Sequence, residues 1–139
     1  MKYMVIGDCH LSDEARAPIN RKGHWTEEIF AKLEFIVELA KKNKCDAILQ
    51  LGDYYHHNSY SSNSPELIQR SHEVLTAAGI PVVITAGNHE LRSNNYVEDI
   101  PKHALGALGR MRGIELAIKQ SSILSDVYGI PYLQDWSTL

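Results

Sequence analysis

Three short apolar runs recur along the chain, and each stops at a glycine followed by side chains able to hold a cation. Met4-Val5-Ile6-Gly7 leads into Asp8-Cys9-His10, and Ala47-Ile48-Leu49-Gln50-Leu51 leads into Gly52-Asp53-Tyr54-Tyr55-His56-His57. Val82-Val83-Ile84-Thr85-Ala86 leads into Gly87-Asn88-His89-Glu90. Near-continuous apolar runs without a two-residue alternation read as buried strands of a largely parallel sheet. Strands are therefore expected over residues 3–7, 46–51 and 80–86, with Pro81 tolerated only near the start of the third.

Helical spacing fills the intervals. Thr26 is expected to cap a first helix, with Glu27 and Glu28 complementing its dipole and Ile29, Leu33, Ile36, Val37 and Ala40 forming one apolar stripe. Lys41, Lys42 and Lys44 close it, either as dipole complement on a solvated surface or as a phosphate-binding patch. Ser64-Pro65-Glu66 starts a second helix, Leu67, Ile68, Val74, Leu75 and Ala78 face inward, and Gly79 stops it. A third is expected over residues 101–112, burying Ala104, Leu105, Leu108 and Met111 and ending at Gly113. Residues 114–118 and 127–130 are short strand candidates, and residues 131–139 form an unclassified tail. Residues 11–25 are polar and too long for a minimal strand-to-helix turn, so they are expected to fold over the strand ends. The alternation predicts an α/β domain over residues 1–139, a mainly parallel sheet flanked by helices with right-handed crossovers.

Composition narrows the class without naming a chemistry. A 139-residue chain with 44% hydrophobic and 22% charged residues is that of one soluble globular domain. No apolar run approaches the ~20 residues of a membrane span, and Met1-Lys2-Tyr3 enters a strand without a signal-peptide layout, so a cytoplasmic protein is expected. Cys9 and Cys45 form no metal-type pair and read as separate reduced thiols. A net charge of −3 means that attraction for a phosphate must come from a local feature.

The carboxyl ends of core strands in α/β sheets are where ligands bind, and here all three ends carry donors. Asp8 and His10 are two apart and point the same way on extended backbone, so they can hold one ion together. Asp53 offers two oxygens and can bridge two ions; Asn88 adds an amide oxygen. Carboxylate, imidazole and amide together suit Mn²⁺, Fe²⁺ or Zn²⁺ rather than Ca²⁺. Two ions about 3.5–4 Å apart clamp a phosphate and lower the pKa of a bridging water. His89, beside Asn88, is placed to protonate a leaving oxygen or to stabilise its charge. Taken singly, each acid after a strand is as readily a turn former. Tyr54 and Tyr55 either stack on a base or pack in the core, and Arg16, Arg21, Lys22 and Arg92 either contact a DNA backbone or are scattered surface charge.

The three motifs together resemble the calcineurin-like metallophosphoesterases, whose signature runs DxH, GDxx(H/x) and GNH(D/E). Within that superfamily the chain is most similar to the SbcD-type double-strand-break repair nucleases and their phage relatives. The shared blocks are Asp8-Cys9-His10-Leu11, residues 52–56, residues 79–89 and Tyr128-Gly129-Ile130-Pro131-Tyr132. The resemblance implies a layered fold of two sheets with helices outside, and metal ligands Asp8, His10, Asp53 and Asn88. It places His56 with His89 as the pair that positions the scissile phosphate. It further implies two divalent metal ions (Mn²⁺ first, with Fe²⁺, Zn²⁺ or Mg²⁺ as alternatives), a DNA substrate and an SbcC-like ATPase partner.

One part of the family pattern is missing. Such proteins complete the two-metal site with a later lone histidine and a GHxH pair, and this sequence contains no GHxH. His72 and His103 are expected on helix surfaces, and His24 and His57 in loops near the site. Four readings of the shortfall stay open: a separate carboxyl-terminal half, a partner chain, a homo-oligomer covering an exposed inner sheet face, or loss of catalysis. Three functions correspond to these: a DNA nuclease, a phosphatase or small-nucleotide phosphodiesterase, and a non-catalytic binding or assembly module.

Overall fold

The computed structural model describes residues 1–21, 23–90 and 100–131. Among these residues four strands, β1 (Tyr3–Ile6), β2 (Ala47–Gln50), β3 (Val82–Ile84) and β4 (Ile114–Leu116), pair in parallel and in chain order. The register sets Met4 beside Ile48, Ile48 beside Val82 and Val82 beside Ile114, a continuous apolar row across the sheet. Because every strand runs the same way, residues 7–10, 51–57 and 85–90 all emerge at one edge.

Among the described residues three helices lie in the connections: α1 (Trp25–Lys42), α2 (Pro65–Thr76) and α3 (Ala104–Leu108). They pack on one face of the sheet, where Phe30, Leu33, Val37, Leu75, Leu105 and Leu108 meet Ile6, Ile48, Val82 and Ile114 in one buried cluster. The α1 stripe includes Phe30, which the spacing argument passed over. The opposite face carries a smaller cluster of Ala47, Val83, Ala117 and Leu124, with Tyr3, Leu49 and Val127 packed against it. Beyond that cover, Val5 is 54% exposed and Leu51 58%, so the strands are not buried on both faces along their whole length. Cys9 and Cys45 are buried free thiols. Among the described residues no helix is long and apolar enough to cross a membrane.

Several local expectations need correction. Thr26 is not the first cap: α1 begins at Trp25, and the Glu14 carboxylate accepts from the Gly23 and Thr26 backbone N–H groups instead. Ser64 does cap α2, accepting from the Leu67 N–H at 3.1 Å, and Asp13 in turn holds Ser64 through its N–H and hydroxyl. The third helix is only five residues long, preceded by a 3-10 turn at Ile100–Lys102. Gly106 and Gly109 weaken helix propagation, and Gly109 sits where a Cβ would meet the Leu116 side chain. Residues 127–130 form no strand; Tyr128 makes a single antiparallel bridge to Gln120.

Candidate metal centre

The strand ends converge as the sequence pattern requires. Asp8, His10 and Asp53 offer ligand atoms all within 4.8 Å of one another, and His10, His56 and His89 form a second such group that shares His10. His10 therefore stands between them. Its Nε2 lies 3.8 Å from Asp8 Oδ2, while its Nδ1 lies 3.3 Å from His56 Nδ1. The His10 and His89 rings meet edge to face with centroids 4.6 Å apart, and the His56 and His89 rings stack at 5.3 Å. Asn88 is exposed one residue before His89, in a 3-10 turn spanning Asn88–Glu90.

These loops are fixed by backbone bonds that extend the sheet past its strands. The Cys9 and His10 N–H groups both donate to the Asp53 carbonyl, and Leu11 donates to Tyr54 at 2.7 Å. His56 returns a bond to the Leu11 carbonyl, so the first two ligand loops run side by side. Trp25 Nε1 donates to the His10 carbonyl at 2.9 Å, pinning the first loop to α1. Asp53 has φ of 50° and His10 of 49°, left-handed conformations that a non-glycine residue adopts only where its surroundings hold it. The Asp53 carboxylate accepts from the His89 N–H at 2.9 Å, which joins the second loop to the third.

Two buried polar side chains complete the frame, and neither was assigned a role from the sequence. Gln50, 1% exposed, donates to the carbonyls of Gly7 and Gly52 and accepts from the Gly52 N–H. Its only sequence signal is a polar residue inside an apolar strand. Glu90, also 1% exposed, accepts from four backbone N–H groups: Asp53 (2.9 Å), Tyr54 (2.5 Å), Tyr55 (3.1 Å) and Gly87 (2.7 Å). Hydrogen bonds to a charged group contribute about 1.5–3 kcal/mol each, so in its ionised form this one side chain ties the two loops strongly. Burial pushes its carboxyl up to about 7, against the downward pull of the Gly87, Tyr55 and Tyr54 N–H groups.

Electrostatics separates the imidazoles from the thiol. Burial, and then the neighbouring rings of His57, His10 and His89, lower the His56 pKa from its ordinary value, which favours the neutral ring. Burial pushes the Cys9 thiol up to about 12, which keeps it a neutral packing group.

Other sequence-predicted residues fall differently. Tyr54 and Tyr55 are both fully buried, their rings edge to face at 4.9 Å, so they pack in the core and offer no face to a base. Arg16 and Arg21 are exposed on the two 3-10 turns between β1 and α1, and His57 reaches the Arg16 carbonyl. Arg92 and Lys22 lie outside the described residues. His103 is a correction: it is 4% exposed rather than on the surface, with Nδ1 2.7 Å from the Glu90 carbonyl. His72 meets the Arg112 carbonyl, away from the strand ends. His24 occupies the position before α1 and belongs to neither ligand group among the described residues.

Residues 1–137 match the family model for calcineurin-like phosphoesterases. The chain is also 30% identical over 92 residues to the DNA double-strand break repair protein Mre11 of Aeropyrum pernix, a match covering 66% of this chain and 22% of that protein. The chain thus spans about a fifth of the length of the curated relative it matches.

Proposed function

This chain belongs to the calcineurin-like phosphoesterase family, and on that premise we propose that it works as a metal-dependent phosphodiesterase of the nuclease kind, with DNA as substrate. The observation that carries the reading is the convergence of Asp8, His10 and Asp53, with His56 and His89 ranged on the far side of His10. That donor set fits divalent metal. It mixes two carboxylates with an imidazole, and Asp8 remains 66% exposed at the edge, where an ion can enter. Asp8, His10, Asp53 and Asn88 would hold the metal ions, Mn²⁺ being our first choice, which when bound supply an activated water and charge neutralisation at the phosphate.

The chain's own residues fix the proton positions. With a metal ion held by its Nε2 beside Asp8, His10 would carry its proton on Nδ1 and donate to His56 Nδ1. His56 is then left with its proton on Nε2, a donor for a phosphate oxygen. His89 directs Nδ1 at the His56 carbonyl, 3.2 Å away, which keeps the proton on that nitrogen. His89 can therefore give a proton to a leaving oxygen only from Nε2 of its doubly protonated form. The name of the Aeropyrum pernix relative supports DNA rather than a small phosphomonoester as substrate; an SbcC-like ATPase as partner rests on the resemblance of the motifs alone.

The alternative reading is a non-catalytic binding module. Hydrolysis of bis-p-nitrophenyl phosphate with Mn²⁺ distinguishes them. Turnover of the diester above the monoester, abolished by Asp53→Asn and by His89→Gln, supports the nuclease reading. A monoester preference points to a phosphatase. A folded protein with no turnover of either points to the binding module.

A further inference from the structure

Glu90 is built into the centre in a way that the metal-ligand pattern does not explain. Its carboxylate reaches across from the third ligand loop to three successive N–H groups, those of Asp53, Tyr54 and Tyr55, in the second. Successive backbone N–H groups at a turn with a left-handed residue form an anion-binding concavity, and here an internal side chain occupies it. The fourth bond, from the Gly87 N–H, closes the carboxylate onto its own loop. Each oxygen accepts two bonds, which matches the lone-pair capacity of an ionised carboxylate. The residue is pinned from behind as well, because the buried His103 ring donates to the Glu90 carbonyl, and α3 thereby backs the loop.

The loops joined this way are the ones that carry Asp53 and Asn88. Asp53 is held in a left-handed conformation directly at the concavity, and its own carboxylate orientation depends on the His89 N–H, one residue from Glu90. We propose that Glu90 is a positioning residue for the metal centre: by clamping the second and third ligand loops together it sets the separation of Asp53 and Asn88 before any ion binds. The inference rests on the metal-binding reading given above.

The test is the affinity of the folded full chain for MnCl₂, measured by calorimetry well below each variant's Tm. Glu90→Gln replaces one accepting oxygen with an NH₂ that faces backbone donors. It is expected to weaken Mn²⁺ binding about 10- to 100-fold. Glu90→Asp keeps the charge on a shorter arm and is expected to fall between Glu90→Gln and the parent. Leu75→Ala, a fully buried α2 position remote from the ligand loops, controls for lost stability; it should lower Tm and leave the affinity unchanged. If Glu90→Gln lowers Tm as Leu75→Ala does but binds Mn²⁺ like the parent, the positioning role is wrong. If Glu90→Gln does not fold, Glu90→Asp carries the same decision: parental affinity overturns the proposal and weakened affinity sustains it. A parent chain that binds no Mn²⁺ overturns the metal-centre reading itself, an outcome distinct from either.

Discussion

Both ends of the sheet turn the chain through left-handed backbone, but the means differ. At the amino end of the strands, Lys44 (φ 53°) follows α1 and Gly79 (φ 70°) follows α2. These are helix terminations satisfied locally: Cys45 N–H bonds Ala40, and Gly79 N–H bonds Thr76. At the carboxyl end, Gly52 (φ 103°) and Asp53 (φ 50°) follow a strand; Gln50 holds Gly52 from two residues away, but the partners of Asp53 are distant in sequence. Cys9 and His10 reach Asp53, Gln50 reaches Gly7, and Glu90 reaches Asp53, Tyr54 and Tyr55. Helix ends need such conformations for capping alone. A buried left-handed aspartate cross-linked from three directions needs another reason, and the ligand cluster around it supplies one.

The comparison is broken most sharply at its two glycines. A Cβ on Gly52 would lie 2.6 Å from the Gly87 nitrogen and 2.8 Å from its Cα, whereas nothing lies within 4 Å of a Cβ on Gly79. Gly52→Ala is expected to cost on the order of 3–5 kcal/mol, combining overpacking with backbone strain, and to disorder the ligand loops. Chemical denaturation and amide exchange over residues 52–57 would detect both. Gln50→Leu should follow at about 2–3 kcal/mol, because it strands the Gly52 N–H and two carbonyls while keeping the strand apolar. Gly79→Ala should cost only about 1 kcal/mol, with Mn²⁺ binding untouched. A Gly79 variant as damaging as the Gly52 variant would erase the distinction between the two ends.

The smallest effect concerns the cap that reaches α1 from a distance. The Thr26 backbone N–H above all, then those of Gly23 and Trp25, hold the half-buried Glu14 carboxyl below its ordinary 4.5 against a partial desolvation. Its contribution is therefore present above about pH 4.5 and fades as pH falls through the lower folded value. Glu14→Gln should lower Tm slightly at pH 7 and by less at pH 3, and thermal melts at the two values check the sign.

The convergence of Asp8, His10 and Asp53 is legible in the sequence because its signals are local. Each apolar strand stops at a glycine followed by donors, and a parallel sheet brings such ends together without further information. What joins them was not legible. Glu90 lies 35–37 residues from three of its partners, a distance no periodicity reports. His103 looked like a surface residue because its burial comes from α3 meeting the third ligand loop, not from its neighbours in sequence. Glu14 displaced Thr26 as the cap for the same reason, acting from 12 positions away. The third helix stops at Leu108 although its apolar spacing continues to Met111, because Gly106 and Gly109 weaken its propagation.

The most direct test of a preformed centre is a calorimetric Mn²⁺ titration of this chain beside Asp53→Asn and His10→Gln. Saturable binding that both substitutions abolish, with their folds intact by circular dichroism, is the result the convergence of Asp8, His10 and Asp53 predicts. No binding by the parent chain, or binding that survives both substitutions, would contradict it.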